Sequence, residues 1–587
     1  MDGVFTTFEH RPILSSILVL LIISSLLILI SRTSSPVSNL PGPCITKLSI
    51  LPLVYQDSIS NRTAWTHSLH NQYGPIVRLS PKEISYLLSR RHSSCLYWLG
   101  QVRILPKAPM FNIFQHFGAR NAFSSITSEA HGWRRRIVAG NYALTAIVAK
   151  EMKSGKLWRC VGEFLEMVER EGVQSGCEGD RVFDVFSACR FFAADCVTSH
   201  LFIQGSNALG GDEEIRRNIE DSAEGPDNVL SYFKMEFEDV HSTLRRVGRL
   251  LWIKKGAAGG RSRLATVSGK KVSTGSSEWV GGTPIRDWGW KRFLETRRAV
   301  AEGVVTASID GPVAAQLASN AVQGDKLDIS RQSFESDAGI RTVTSTVAGP
   351  TTKLFYRNEG CASECMDQFL AGLDTVGDTL AYVFHLLFLP ENEKVQAAVR
   401  AECASLRLPN SFSQPLSHDT LCSILSAPWI DAVLKETLRL YPASTTVFQL
   451  VVPSGGRILD NYYIPGGTIV GGTPVTVNRD PSIFGADVDS WSPSRWLQAA
   501  NVEEMNRRLW TFGSGGRGCI GRHLAMLEMK LLLVGVYSKF STRVDERADV
   551  MQARNHPGSR TTFRDMGWLK EVKGILTFAS IEREAAI

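Results

Sequence analysis

The sequence predicts a mainly α-helical protein with a small β region, preceded by a single transmembrane helix. The apolar run Ala362–Leu389 is far too long for a strand, and Leu524–Tyr537 also fits a helix. Short alternating stretches bounded by turn residues, Tyr73–Leu88 and residues 464–481, predict a few strands. The uncharged stretch Pro12–Ile30 is long enough to cross a bilayer.

Composition limits the classes of function. The chain has 587 residues, of which 43% are hydrophobic, and this is ample for a large core. Its net charge of +7 is modest and no long basic run occurs, so nucleic acid is not expected as a partner. Eleven cysteines without regular spacing do not form a disulfide framework and indicate a reducing compartment. Cys361 and Cys365, four apart, fit one face of a helix better than a zinc site.

The charges around the apolar stretch Pro12–Ile30 predict its orientation. Asp2, Glu9 and Arg11 precede it, whereas Arg32 and Lys47 follow it. This bias places the bulk of the chain on the cytoplasmic side of the membrane. A cleaved signal peptide is the competing interpretation, but it would have a shorter apolar region, a more basic start and a small-residue cleavage site. We therefore predict an uncleaved anchor.

The predicted organisation has three parts. Residues 1–31 form the anchor, residues 32–50 a semi-rigid proline-rich hinge, and residues 51–587 the catalytic domain. Within that domain the range 256–357 lacks apolar periodicity, and residues 256–282 are rich in Gly, Ser and Lys. This composition predicts an irregular, disordered insertion. Either it is a true insertion or part of it is an error in the gene model.

A glycine-rich stretch, FGSGGRGCIG (Phe512–Gly521), contains a single cysteine, Cys519. The glycines let the backbone bend tightly and bring its N–H groups close to whatever the sulfur binds. The helix that follows points its positive end at Cys519 and favours the thiolate. Such a thiolate suits a soft or borderline metal with an open axial position, and haem iron is the leading case. A buried structural cysteine is the alternative.

The same stretch also contains G-x-G-x-x-G, formed by Gly516, Gly518 and Gly521. A dinucleotide site needs an apolar strand before these glycines and an acidic residue about 20 positions after them. The preceding residues, MNRRLWTF, do not form such a strand. A nicotinamide or flavin site is therefore not predicted here.

The stretch resembles the F-x-x-G-x-R-x-C-x-G signature of the cytochrome P-450 family, the haem-thiolate monooxygenases. The matching positions are Phe512, Gly515, Arg517, Cys519 and Gly521. The resemblance implies the P-450 fold and haem b (iron protoporphyrin IX), with Cys519 as the axial ligand of the iron. It also implies that Arg517 meets a haem propionate, that Phe512 packs near the sulfur, and that Gly513 and Gly521 belong to the cofactor-binding loop.

The stretch HGWRRR opens a predicted helix, on which His131 and Arg135 share a face because they are four residues apart. In the family an H-x-x-x-R pattern in this region contacts the haem propionates. Trp133 is a further candidate contact, although many relatives have arginine four residues after the tryptophan and this chain has Ile137. A solvated basic helix face is the alternative.

Ala371–Thr375 resembles the A-G-x-[DE]-T motif of the family's central helix. The resemblance implies three catalytic residues. Gly372 would leave room for dioxygen, Thr375 would hydrogen-bond the distal oxygen, and Asp374 would supply protons through water. The alternative is a polar notch in a core helix.

Glu436 and Arg439 form the E-x-x-R pair of the family, and Arg495 lies in a loop that matches its third member. We predict a buried three-charge network of structural rather than catalytic importance. Two segments, Ala443–Val451 and Trp568–Leu569, are expected to line the substrate pocket.

The resemblance implies an endoplasmic-reticulum monooxygenase with its catalytic domain in the cytoplasm. It would oxidise a hydrophobic small molecule, in the manner of fungal microsomal members that tailor secondary metabolites. Electrons would come from NADPH through a partner cytochrome reductase, with cytochrome b5 as a second donor and membrane lipid as a further partner. A basic docking face for the reductase is predicted from residues close to Cys519 in sequence: Arg507, Arg508, Arg522, His523 and Lys530.

Two alternatives stay open at this point. A haem-thiolate isomerase or dehydratase would rearrange an oxygenated substrate without a reductase. A non-catalytic membrane protein would result if the irregular middle region prevented folding or haem uptake.

Overall fold

The computed structural model describes residues 35–59, 61–87, 105–174, 181–223, 283–308, 311–326, 333–337, 340–345, 351–445, 448–544 and 575–580. This part of the chain is mainly helical with four small sheets, as predicted. None of its helices is both long enough and apolar enough to span a bilayer. The predicted span Pro12–Ile30 lies outside the described residues.

The chain up to residue 326 supplies nine α-helices within the described ranges. They are α1 Leu51–Ser58, α2 Arg62–Tyr73, α3 Ser128–Val138, α4 Leu144–Ser154, α5 Lys156–Glu171, α6 Val185–Leu201, α7 Glu213–Ala223, α8 Pro284–Ala301 and α9 Val313–Lys326. Single 3₁₀ turns occupy Pro36–Asn39, Cys44–Lys47, Pro109–Phe114 and Ala139–Tyr142.

The second half contains the longest helix, α10 Asn358–Phe388, which confirms the helix predicted over this region. It is followed by α11 Glu393–Ser405, α12 His418–Ser426, α13 Pro428–Leu440, α14 Pro474–Val477, α15 Pro481–Phe484, α16 Arg495–Gln498, α17 Val502–Arg508 and α18 Arg522–Tyr537. Further 3₁₀ turns occupy Pro390–Asn392 and Gly515–Arg517.

The strands form four separate sheets. They are β1 Ile76–Ser80, β2 Glu83–Tyr86, β3 Val173–Gln174, β4 Arg181–Asp184, β5 Ser333–Asp337, β6 Ile340–Ser345, β7 Thr351–Tyr356, β8 Leu450–Val451, β9 Arg457–Leu459, β10 Tyr462–Ile464, β11 Ile469–Gly471, β12 Phe540–Val544 and β13 Ile575–Ser580. The sheet orders are β1-β2-β11-β8, β10-β9, β12-β13-β4-β3 and β5-β6-β7. The hairpin of β1 and β2 confirms the strands predicted in Tyr73–Leu88.

The main core surrounds α10, which packs most extensively against α6. Large side chains that are almost fully buried, such as Phe164, Phe192, Phe369 and Phe384, fill the space between these helices and α5. Each such side chain contributes about 1.5–3 kcal/mol when it is removed from water. The core therefore fixes α10, the helix that carries the Ala371–Thr375 motif.

The range 256–357 differs from the expectation of an irregular insertion. The structure places two helices there, α8 and α9, both packed against α10. On α8 the buried positions Ile285, Gly289 and Phe293 recur every four residues, although charged residues between them hide the pattern. On α9 the buried stripe consists largely of alanine, which carries little hydrophobic signal. The part of the range before residue 283 lies outside the described residues.

The described part of the predicted hinge is a segment docked on the body, which we call the strap (residues 36–48). Arg78 of β1 is fully buried and its guanidinium donates to backbone carbonyls of the strap, at 2.9 Å to Ser38 and 3.0 Å to Pro43. Its Nε lies 3.2 Å from the Thr46 hydroxyl. The expectation of a semi-rigid spacer is wrong for these residues, because one distant arginine ties them to the sheet.

Candidate active site

The loop around Cys519 is closed by its own backbone. The Cys519 N–H donates to the Phe512 carbonyl at 2.8 Å, and the Gly513 N–H donates to the Trp510 carbonyl at 2.8 Å. Gly513 and Gly515 have φ values of 63° and 64°, in the left-handed region that favours glycine. The glycine pattern is therefore needed to form this turn.

Cys519 lies in an opening enclosed by protein. The residue is exposed, yet burial raises the pKa of its thiol. Both observations hold if the sulfur faces a space that surrounding atoms nearly enclose. The N–H of Gly521 and the charge of Arg135 oppose the rise in pKa, as do Arg522 and the start of α18. The loop thus carries the groups that would stabilise a thiolate.

Helix α3 places two predicted cofactor ligands against this loop. It begins at Ser128 because the Thr127 hydroxyl caps the Ala130 N–H. His131 Nε2 lies 3.2 Å from the Gly516 carbonyl, and Arg135 Nη1 donates to the Gly518 carbonyl at 2.7 Å. The shared helix face therefore meets the loop as the spacing predicted, and in this structure both side chains contact its backbone. Trp133 instead packs, half-buried, against the main core.

The two nitrogens of His131 face two carbonyl oxygens. Nδ1 lies 2.9 Å from the Ala122 oxygen and Nε2 faces Gly516. Burial lowers the pKa of His131 to about 4, so the ring is neutral and has a single N–H. Only one of the two nitrogen–oxygen contacts can then be a hydrogen bond. An anionic group beside this ring would favour the imidazolium form, which can donate to both.

Arg517 has donors without acceptors. Its Nη2 donates to the carbonyls of Leu105 and Ile126 at 3.0 and 3.2 Å. Its Nε and Nη1 are buried and find no partner within the described residues. Burial lowers the pKa of Arg517 to about 10, so the side chain remains charged at neutral pH. A buried guanidinium with two unpartnered nitrogens is suited to bind an anionic group at this position.

Sequence reasoning missed one cation of this cluster, Lys107. Its ammonium donates to the Phe123 carbonyl and lies 4.6 and 4.4 Å from the ring centres of Phe111 and Phe123. Burial, followed by the nearby charge of Arg517, lowers its pKa to about 7. The lysine precedes a proline-rich apolar turn about 400 residues before the cysteine loop, and no local pattern connects the two.

Helix α10 carries a short accessible stretch within its buried length. Ala371 and Thr375 are exposed, although most of the surrounding helix is buried. They are one turn apart, and the Thr375 hydroxyl donates to the Ala371 carbonyl at 2.7 Å. This side-chain bond competes with the helix ladder and leaves the hydroxyl oxygen free to accept a further hydrogen bond. Thr375 therefore places a hydroxyl on the accessible side of α10, and its catalytic role stays a prediction.

The other two predicted catalytic residues of this motif face α6. A Cβ at Gly372 would lie 2.8 Å from Val197 Cγ2, so glycine is needed there for close helix packing rather than for ligand access. The Asp374 carboxylate is 2.8 Å from Arg190 Nη2 on α6 and is largely buried. The prediction that Gly372 leaves room for dioxygen requires it to face the open side of α10, but it faces α6. Successive residues of a helix point about 100° apart. Ala371 occupies the open side instead.

Asp374 shares its arginine with a second carboxylate. Arg190 Nη1 lies 3.7 Å from Asp378, one turn further along α10. Burial raises the pKa of both carboxyls, and the Arg190 charge opposes the rise. One cation therefore faces two buried acids, which favours retention of a proton on the pair.

The predicted charge network is assembled in the structure. Arg439 binds Glu436 with two parallel bonds of 2.8 and 2.9 Å, and both side chains are fully buried. Arg495 Nε lies 3.3 Å from Glu436, and its Nη1 and Nη2 bind Asp487 at 2.7 and 2.8 Å. Indole and backbone N–H groups of Trp496 and Ser492 add bonds of 2.9 and 3.0 Å to Glu436.

This network continues into the cysteine loop. Arg439 Nη1 donates to the Asn478 carbonyl at 3.1 Å. The Asn478 side chain accepts from the Trp510 N–H at 2.9 Å and donates to the Thr511 hydroxyl at 3.0 Å. Thr511 in turn bonds to the Leu438 carbonyl at 2.6 Å. The loop that begins at Phe512 is thus attached to the end of α13.

Comparison with known proteins covers these same elements. A sequence model described as Cytochrome P450 matches residues 350–562. The chain is 26% identical over 543 residues to the cytochrome P450 monooxygenase pkfB of Emericella nidulans, covering 90% of both chains. The region 350–562 is a cytochrome P450 sequence.

Other relatives of this P450 are also monooxygenases by name. It is 25% identical to tazI of Aspergillus terreus, covering 90% of this chain and 91% of the relative. It is 24% identical to mpaDE' of Penicillium brevicompactum, but spans only 51% of that longer protein. The P450 is accordingly an oxidoreductase that incorporates molecular oxygen. Members of the family use haem as their cofactor, with electrons derived from NADPH through a reductase partner.

The residues of this P450 fit a haem group. Cys519 is an exposed cysteine in the glycine-rich loop, and Ala371 and Thr375 are the exposed residues of the motif on the central helix. Arg517 has buried nitrogens without acceptors among the described residues, and burial keeps the His131 ring neutral. Two haem propionates would supply acceptors for Arg517 and negative charge beside His131. The donor set therefore suits haem as an axial thiolate with a cationic rim.

The predicted basic face is smaller than expected. Arg507 is exposed beside Glu504, and Arg522 and His523 are exposed at the start of α18. Arg508 is buried against Glu504, and Lys530 is buried 2.8 Å from Asp431. The prediction is wrong for these last two residues, because helical rotation turns them inward. Arg136 on α3, next to the loop ligand Arg135, is an exposed cation that the sequence interpretation omitted.

The segment predicted to line the pocket, Ala443–Val451, is described except for residues 446 and 447, and its last residues contact residues named above. Leu450 of β8 forms a bridge with Lys107, and the Phe448 ring packs at 5.5 Å on Trp510. Gln449 points away, because its amide donates to Glu83 at 2.8 Å. The tail segment Trp568–Leu569 lies outside the described residues.

Proposed function

We propose that this P450 oxidises a hydrophobic small molecule in fungal secondary metabolism, with Cys519 as the haem ligand and electrons from an NADPH-dependent reductase. The observation that carries the proposal is the accessible Cys519 sulfur in a loop enclosed by protein and bordered by His131, Arg135 and Arg517. The relatives, which are fungal monooxygenases, support the pathway class.

The test uses the full chain in fungal microsomes. Deletion of the gene should remove one oxygenated metabolite and accumulate its less oxygenated precursor. Purified chain should convert that precursor only when NADPH and a cytochrome reductase are both present. Conversion without NADPH would support an isomerase or dehydratase instead.

In the proposed assignment Arg517, His131 and Arg135 hold the haem propionates, while Phe512 packs beside the sulfur. When bound, haem supplies the activation of dioxygen and the transfer of one oxygen atom to the substrate. The protein contributes orientation, exclusion of water and proton control. Gly513 gives the loop its left-handed turn, and Gly521 places its N–H beside the sulfur.

Thr375 is the residue of α10 that we assign to contact with the reacting oxygen. Its hydroxyl lies on the accessible side of this helix and can rotate from the Ala371 carbonyl toward a ligand. Asp374 acts from behind it as a positioning residue, because its carboxylate binds Arg190. The proton that the Asp374–Asp378 pair retains lies within one helical turn of Thr375, so the pair is a reservoir rather than the direct donor.

Thr375→Val should lower product formed per NADPH consumed by about 10²-fold, because the variant loses the hydroxyl but keeps the shape. Thr375→Ser keeps the hydroxyl and should retain most of the product yield. Both variants should bind haem normally, since Thr375 lies away from Cys519 on another helix. Equal product yield in Thr375→Val and the unchanged chain would exclude this role.

We infer that the reductase docks on the exposed cations Arg136, Arg507, Arg522 and His523. Arg136→Glu combined with His523→Glu should raise the reductase concentration needed for half-maximal turnover by about 3–10-fold at low salt, because rim charges act mainly on association. The measurement is steady-state turnover against reductase concentration, at low and high ionic strength.

The matched control is Lys394→Glu, an exposed lysine on α11. This substitution makes the net charge more negative, as the double variant does, but outside the proposed docking face. It should leave the dependence of turnover on reductase concentration unchanged. If the double variant and the control respond alike, the docking face lies elsewhere. Cytochrome b5 as a second electron donor would be tested on the same surface.

We further propose that Pro12–Ile30 anchors the chain in the endoplasmic reticulum membrane as a single span, with the catalytic domain in the cytoplasm. The apolar length of the stretch and the basic residues after it support this arrangement. Retention in the membrane after sodium carbonate extraction tests it.

A further inference from the structure

The Asp367 side chain of α10 differs from the polar side chains beside it. The Ser363 hydroxyl donates to the Ala119 carbonyl at 2.8 Å, and the Glu364 carboxyl group accepts from the Ala122 N–H at 2.8 Å. The Asp367 carboxyl group makes no hydrogen bond or ion pair within the part of the chain that the structure describes. It therefore remains available to a ligand, whereas its neighbours are held by protein.

Asp367 lies on the accessible side of α10. It is half-buried, and Ala371 and Thr375, one and two turns later, are exposed. We call these three residues the open stripe, because residues four apart on a helix share one side. Eight residues at 1.5 Å each separate Asp367 from Thr375 by about 12 Å along the helix axis. The open stripe thus presents a carboxyl group and a hydroxyl at two fixed points.

The space in front of the Asp367 carboxyl group is nearly closed. The side chain is only half-buried, yet burial, followed by the nearby charge of Glu364, raises its pKa well above the usual range, and Lys107 opposes the rise. Both observations hold if the carboxyl group faces a space that surrounding atoms nearly enclose, as at Cys519. At neutral pH the group therefore keeps its proton and presents an O–H donor.

A hydrogen-bond acceptor is the ligand group that complements this O–H donor. An enclosed donor without an acceptor is costly, and a neutral carbonyl oxygen would supply the acceptor without bringing a charge into the space. A cationic amine is disfavoured, because the Lys107 charge acts on Asp367 and lies close to Arg517. Lys107 itself is held elsewhere, since its ammonium donates to the Phe123 carbonyl. The site therefore favours a neutral oxygen over a positive charge.

We propose that Asp367 binds a carbonyl oxygen of the substrate and thereby sets how far from that oxygen the substrate is oxidised. This inference rests on the proposed function, in which Thr375 contacts the reacting oxygen. The open stripe then places the oxidised carbon about 12 Å along α10 from the bound carbonyl. Asp367 is a specificity-determining residue, because it lies two turns away from Thr375. The substrate class is a hydrophobic ketone, ester or lactone with a C–H bond at this distance.

The test measures the binding of two probes that differ at one carbon, 4-phenylcyclohexanone and phenylcyclohexane, to the haem-loaded full chain by equilibrium dialysis. The preference is the ratio of the hydrocarbon dissociation constant to the ketone dissociation constant. Asp367→Leu removes the hydrogen bond and should lower this preference by about 3–10-fold. Asp367→Asn keeps a hydrogen-bond donor, so it should retain most of the preference. Both variants should keep the carbon-monoxide spectrum, since neither removes a hydrogen bond or ion pair within the described residues.

The matched control is Glu359→Leu. Glu359 is an acid on the first turn of α10, outside the open stripe, and its carboxylate lies 3.8 Å from Arg357 Nε. This variant should keep the preference of the unchanged chain. A second measurement follows the products formed with NADPH and reductase. The unchanged chain should oxidise the ketone on the phenyl ring, far from its oxygen, whereas Asp367→Leu should oxidise it at several positions.

Three results would overturn the inference: a preference in Asp367→Leu equal to that of the unchanged chain, an equal loss in Asp367→Asn and Asp367→Leu, or tighter binding of 4-phenylcyclohexylamine than of the ketone by the unchanged chain. The second would make Asp367 a counter-ion of Lys107, and the third would require an ionised carboxylate. Dialysis needs no turnover, so the two proposals can fail separately. A ketone preference without NADPH-dependent oxidation rejects the proposed function, whereas oxidation without the preference rejects the role of Asp367 alone.

Discussion

Replacing Cys519 with alanine should abolish the thiolate-type Soret band of the reduced carbon-monoxide complex, together with all oxidation of the substrate. The described loop offers no other sulfur, and the neighbouring groups that oppose protonation converge on this one. The axial position would be left to water or to nothing, and neither supplies the electron density of a thiolate. The loss should be complete rather than partial.

The matched control for Cys519→Ala is Cys422→Ala. Cys422 is also exposed, but it lies on α12, where it makes only weak contacts with His418 at 3.7 Å. This control should keep both the spectrum and the turnover. Oxidation of the substrate by Cys519→Ala at the normal rate would reject the family chemistry at this residue.

Local patterns were sufficient where neighbouring residues in sequence also form the site. Gly513 and Gly515 require their turn, and the four-residue spacing of His131 and Arg135 places both on one face of α3. The E-x-x-R spacing of Glu436 and Arg439 likewise made their contact predictable. These features depend on backbone geometry within one turn or one loop.

The direction of a side chain toward a distant element was not predictable. Gly372 and Asp374 face α6 because Val197 and Arg190 lie there, nearly 180 residues earlier in the chain. A motif gives the order of residues on α10 but not the identity of the neighbouring helix. The sequence interpretation therefore assigned the open side to Gly372, whereas the structure gives it to Ala371.

Isolated cations were missed for the same reason. Lys107 and Arg78 each sit in a short extended segment, and most of their partners are backbone carbonyls. A carbonyl has no sequence signature, so only the fold can show that it is near. The alanine stripe of α9 was missed for another reason, since small apolar side chains give a weak hydrophobic signal.

Glu436→Ala should destabilise the fold by about 3–5 kcal/mol, because it leaves the Arg439 charge fully buried without its partner. Glu436 accepts hydrogen bonds from Arg439, Arg495, Trp496 and Ser492, so no water can replace it without rearrangement. The loss is a large part of a typical stability of about 5–15 kcal/mol. Urea unfolding of the purified chain measures it.

Asp487→Ala provides the control within the same network. Asp487 binds Arg495 from the exposed side, with 55% of its side chain accessible, so its removal should cost only about 0–1 kcal/mol. The network also reaches the cysteine loop through Asn478, so Glu436→Ala should lose haem at a lower urea concentration than the control does. If both variants unfolded at the same concentration, the buried pair would not be what holds the loop. Arg439→Lys, measured in the same way, separates the contribution of the positive charge from that of the bonding geometry. Lysine keeps the charge but cannot form the two parallel hydrogen bonds to Glu436.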